Sequence, residues 1–178
     1  MTTSLDISHR YDFKGNAIQT KDLDLDGNLT VAGTTTIATA TPRVATLAAS
    51  TGSLFSNQTG TIALLSIAAG DTVTLPAPVV GTTFDFYVSI VPSGGSYKII
   101  TNSGSVFLAG GIFIDKALTV TRYAADGTTI RSINLNGSTT GGATIGDFIR
   151  LTAVTATQWS VQGIVTASGT LATPFATS

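Results

Sequence analysis

The sequence predicts an all-β protein: an antiparallel β-sandwich or jelly-roll-like body preceded by an extended N-terminal β arm. Three observations carry that prediction. Apolar and polar residues alternate with period two, most clearly in residues 83–91, where Phe84, Phe86, Val88 and Ile90 share one face and Asp85, Tyr87 and Ser89 the other. Gly, Pro and Asn signals separate such runs about every 8–12 residues, the spacing of sandwiches and barrels. All ten acidic residues are Asp, a turn and cap residue, and there is no Glu to build surface helices. Thr, at about one residue in six, favours pleated surface.

Charge divides the 178 residues into an arm (1–43), a linker (44–60) and a body (61–178). Nine charged side chains fall in residues 1–43, three in 44–114, seven in 115–150 and none beyond. In the arm, Lys21 to Val31 alternates polar and apolar residues around a turn at Asp26-Gly27-Asn28. A two-stranded hairpin alone is marginal in water, so this segment needs the body or other copies of itself. The linker is rich in Ala, Ser and Thr without periodicity.

Strands in the body are expected at 61–68, 72–75, 83–91, 96–101, 105–108, 118–123, 129–135, 147–154 and 158–165. Asp126-Gly127 lies between two of these runs and signals a hairpin. Gly137 to Ala143, without a Lys and without a following helical pattern, reads as a flexible hairpin loop rather than a phosphate cradle.

Composition excludes several functions. A net charge of −1 with no basic stripe argues against nucleic acid as partner. The longest apolar stretch, Ile62 to Gly70, is too short to span a bilayer, and the charged N-terminus lacks the apolar core of a signal peptide, so synthesis in a cytoplasm and no membrane partner are expected. No cysteine is present, which removes disulfides, thiolate metal sites and cysteine nucleophiles. Charged residues make up 11% and hydrophobic residues 43%, against roughly 25% charged in a typical soluble domain. Such a surface is prone to association unless partner chains cover it.

Catalytic chemistry has little to work with, and no enzyme, cofactor or small-molecule substrate is expected. The single histidine, His9, sits in the arm, a poor place to hold a base in register. Asp22, Asp24 and Asp26, followed by Gly27, match the first half of a calcium loop, but the twelfth position is Gly33 where a bidentate Glu is required. A polar strand face ending in a turn is the better account. Of the body carboxylates, Asp71, Asp126 and Asp147 each adjoin a glycine and read as turn residues, which leaves Asp85 and Asp115. Trp159, in an alternating strand, reads as a core anchor before a sugar-stacking platform.

The run Asp71-Thr72-Val73-Thr74-Leu75-Pro76-Ala77-Pro78, closed by Gly81 and followed by an aromatic strand, precedes Gly146-Asp147-Phe148-Ile149-Arg150-Leu151 and Gln158-Trp159-Ser160-Val161-Gln162-Gly163. This order resembles β-rich virion proteins of tailed bacteriophages, notably capsid decoration (cement) proteins and capsid or tail fibres. Residues 26–36 are similar to stretches that intertwine as trimeric stems in phage fibres. The resemblance implies a homotrimer docked on the major capsid protein and located in the virion. The arm would bind the capsid or intertwine with neighbouring subunits, with His9, Arg10, Tyr11, Phe13 and Lys14 as contact residues. The alternative it implies is a tail-fibre or receptor-binding module for host-surface glycan, with Trp159, Tyr87 or Tyr97 as stacking residues.

Overall fold

The computed structural model describes residues 44–46, 52–54 and 56–178. The chain divides into two units, Met1–Ala40 and Thr41–Ser178, and all of these residues belong to the second. They form two mixed β-sheets and no α-helix, with one 3₁₀ turn at Ser56–Gln58. The strands are β1 (Val44–Thr46), β2 (Gly52–Ser53), β3 (Thr61–Leu65), β4 (Asp71–Thr74), β5 (Thr83–Val88), β6 (Tyr97–Ile100), β7 (Phe107–Lys116), β8 (Thr119–Asp126), β9 (Ser132–Leu135), β10 (Phe148–Thr155), β11 (Gln158–Thr166) and β12 (Phe175–Ala176). The larger sheet has the order β1-β3-β5-β10-β11-β7-β8, the smaller β12-β9-β6-β4-β2.

From β1 to β6 the chain changes sheet at every strand. Each strand therefore returns parallel to the one laid down two steps earlier. Val44 lies opposite Ile62, and Ile62 opposite Asp85, in one sheet; Gly52 lies opposite Val73, and Val73 opposite Ile99, in the other. Parallel neighbours need a crossover, and here a strand of the opposite sheet supplies it. The second half is built from hairpins. β7–β8 and β10–β11 are antiparallel pairs, and β10–β11 lies between β5 and β7. β9 pairs antiparallel with β6 and β12.

The all-β expectation holds, and each of the nine expected body runs overlaps a strand, though the run at 105–108 meets only the start of β7. The antiparallel expectation is corrected: of the ten pairings among the described residues, five are parallel. The stretch read as a linker contributes β1 and β2. Asp126-Gly127 is not a hairpin, because β8 and β9 lie in different sheets. Instead the Asp126 carboxylate accepts the backbone N–H groups of Thr128, Thr129 and Ile130 and turns the chain toward the smaller sheet. Residues 137–143 likewise link strands of different sheets, and Asn136 Oδ1 holds their start by accepting from Ser138, Thr139 and Thr140.

Alternation decides the core. Phe84, Phe86 and Val88 of β5 are buried, as are Ile149, Leu151 and Ala153 of β10 and Trp159, Val161 and Val165 of β11. Val73, Tyr97, Ile99, Ile133 and Leu135 of the smaller sheet join them in a single hydrophobic cluster. Ile90 lies beyond the end of β5 and is 43% exposed. Trp159 is wholly buried, 5.8 Å from the Phe84 ring, so the core-anchor reading of it holds. β7 and β11 approach closely at Gly110 (φ +120°), where a Cβ would stand 2.3 Å from the Val161 carbonyl oxygen.

Candidate functional site

The face of the larger sheet that points away from the core carries an unusual row. Strand register places Leu64, Tyr87, Phe148, Ile164, Phe113 and Arg122 side by side across β3, β5, β10, β11, β7 and β8. Five neighbours in succession are apolar or aromatic on a face where polar residues are expected. Ile164 is 65% exposed and Phe113 44%. Burying what remains exposed of either would be favourable by about 1–2 kcal/mol. Tyr87 and Phe148 hold the centre of the row, with ring centroids 4.9 Å apart and planes tilted by 40°.

The next row is polar at its centre: Ile62, Asp85, Arg150, Gln162, Gly111 and Ala124 lie in register. Arg150 and Asp85 make a two-pronged ion pair, Nε to Oδ1 and Nη2 to Oδ2 both at 2.7 Å. Asp85 thereby raises the pKa of the guanidinium. The same guanidinium lies 5.7 Å from the Phe148 ring centroid, so it ties the polar row to the aromatic one.

Between the two rows runs a groove of about 490 Å³. Gly110, Gly111 and Gly163 lie along it, Phe113, Phe148 and Ile164 supply apolar walls, and Gln162 and Arg122 supply polar ones. Glycine at 111 is what keeps it open at this end. A Cβ there would stand 2.9 Å from Arg122 Nη2 and 2.8 Å from the Tyr123 carbonyl oxygen. The Asp85–Arg150 pair is the one ion pair among the described residues.

At the edge of this face, β7 and β8 meet in a two-residue turn, Ala117-Leu118, between paired Lys116 and Thr119. Both turn residues have positive φ, +43° and +78°. That is the backbone of a type I′ turn, which favours Asn-Gly. Left-handed backbone costs an ordinary residue about 1–2 kcal/mol. Leu118 is fully exposed, so its side chain recovers nothing from burial, and Val120 beside it is 61% exposed.

Of the other carboxylates, Asp147 and Asp126 are tied into local hydrogen bonds. Asp147 is buried and accepts from Thr166; burial pushes its pKa up against those hydrogen bonds. Asp126 is held well below the usual carboxylate range, first by the Thr129 hydroxyl and then by backbone N–H groups. Asp71 is buried with Oδ2 unpartnered, and desolvation raises its pKa. Among the described residues no three His, Cys, Asp or Glu side chains converge as metal ligands.

His9, Arg10, Tyr11, Phe13 and Lys14 lie outside the described residues, as do Asp22, Asp24 and Asp26. Of the three stacking residues, Trp159 and Tyr97 are wholly buried, which corrects their assignment as platforms; Tyr87 is on the outward face. Phe113, Phe148, Ile164 and Leu118 were not singled out by the sequence reading. For Phe113 the signal is Ile112-Phe113-Ile114, an apolar triplet that in a strand must turn one bulky member outward. Compared with known proteins, the chain matches no family model and no curated protein sequence.

Proposed function

We propose that this chain is a structural virion protein of a tailed bacteriophage, a decoration subunit that stabilises the capsid as a homotrimer. It is made in the host cytoplasm, residues 1–43 anchor it to the major capsid protein, and residues 61–178 form a sandwich-like body that projects from the shell. One observation carries the reading: a charge-poor β body presents the apolar row Leu64–Tyr87–Phe148–Ile164–Phe113 to its surroundings. Contiguous exposed apolar surface of this kind marks an interface. Asp126, Asp85 and Asp147 are committed to a turn, an ion pair and a clamp, which favours assembly over chemistry.

The glycan-binding alternative loses two of its three aromatic platforms to the core, so the assembly reading is preferred. Deleting residues 2–37 and measuring occupancy on capsids tests the anchor, and unchanged occupancy overturns it. Light scattering on the full chain tests the trimer. A monomer overturns that part of the reading.

A further inference from the structure

We infer that the β7–β8 hairpin tip, led by Leu118, seats in the Phe113–Phe148–Ile164 groove of a second copy of this chain. The inference rests on the homotrimer reading above and names the contact that builds it. It starts from a mismatch inside one copy. Leu118 occupies left-handed backbone that suits glycine, and its side chain is fully exposed. Among the described residues nothing offsets that combination. Val120, outward on the adjacent strand, extends Leu118 into an apolar knob.

The groove supplies what the knob lacks. It is concave and walled by two aromatic rings and an isoleucine, and its volume of about 490 Å³ is ample for an aliphatic tip. Charge points to the same occupant. Among the described residues Arg122, at the groove, pairs with no carboxylate, and Asp115, on the knob's strand beside Val120, pairs with no cation. A seated tip brings its Asp115 toward the groove's Arg122. Lys116 follows Asp115 on the strand and so points to the opposite face.

Knob and groove are different surfaces of one chain. In a trimer their contact runs head-to-tail, each tip in the next copy's groove, and it closes as a ring when the rotation between successive copies closes. A capsid protein or a saccharide in the groove would leave the exposed Leu118 unexplained, which is why a second copy is preferred.

The test uses the full chain. Light scattering gives the mass of the wild type, of Leu118→Asp and of Ile164→Asp. Because both side chains are exposed, the far-ultraviolet circular dichroism of the two variants should match the wild type. The expected result is a wild-type oligomer and, in each variant, association weakened on the order of thirtyfold, as for an interface hot spot.

The chain has no cysteine, so a second measurement is clean. Leu118→Cys chains are mixed with Gln162→Cys chains and oxidised. A mixed disulfide between the two supports the contact, and only same-variant disulfides or none overturn it. An oligomer that keeps its mass in Leu118→Asp overturns this inference and leaves the trimer reading standing. A monomeric wild type overturns both.

Discussion

Asp147, at the head of β10, clamps Thr166, the last residue of β11: Oδ2 accepts the Thr166 backbone N–H at 2.9 Å, and the Thr166 hydroxyl lies 3.1 Å from each carboxylate oxygen. The open end of the hairpin is thus closed by a side chain, and the carboxylate is 6% exposed. Asp147→Ala should destabilise the body by about 2–3 kcal/mol, the scale of a buried charge-assisted hydrogen-bond set. Urea denaturation measures this. A loss below about 0.5 kcal/mol, the scale of an ordinary surface substitution, would refute the clamp.

Asp71 predicts a pH dependence. Burial raises its folded pKa above the usual 3.8, with only the Thr72 N–H to oppose the shift. Below 3.8 the group is protonated in both the folded and unfolded chain, and its contribution to stability is fully present. As pH rises from there through the raised folded value, the unfolded chain ionises first and that contribution is lost. Asp71→Asn removes the titration. The stability difference, wild type minus variant, should fall as pH rises through this window and then level off. A flat difference from acid to neutral pH would refute the assignment.

The Asp85–Arg150 pair is well aligned but partly solvated, its side chains 22% and 50% exposed. Asp85→Ala should therefore cost only about 0.5–1 kcal/mol, a cost that shrinks in high salt. Thermal melts at low and high ionic strength read both effects. A cost of several kcal/mol would mean that the pair orders the Tyr87–Phe148 row as well.

Replacing Ala117-Leu118 by Asn-Gly gives the turn the residues its backbone favours. The isolated body should gain about 1 kcal/mol. Self-association should weaken in the same variant. A variant that is both more stable and equally associated would separate the turn strain from the interface.

Much of the fold was legible because period-two alternation is a local signal. Phe84, Phe86 and Val88 point inward as their spacing requires. Parallel pairing was not legible, because it depends on which sheet each strand joins, and Ile62 gives no local sign that it will face Asp85 rather than a hairpin neighbour. Turn chemistry misled twice. Asp126-Gly127 has hairpin residues yet carries the chain between sheets, while the true β7–β8 turn is Ala117-Leu118, which has none. Gly110-Gly111 interrupts the apolar pattern of β7, so residues 109–116 were not read as strand and Phe113 went unnoticed. The outward row is a product of register across six strands.

The position of β10–β11 has a consequence for synthesis. The hairpin lies between β5 and β7 in space but follows both in the chain. A nascent chain that has emerged only as far as Gly146 holds β1-β3-β5 and β7–β8 as separate pieces, with no strand to join them. The last-made hairpin is the seam, so the larger sheet is completed only near the end of translation. Fragments ending at residue 146 should accordingly be cut by protease within β7–β8, where the full chain resists, and equal resistance would show that the seam is dispensable.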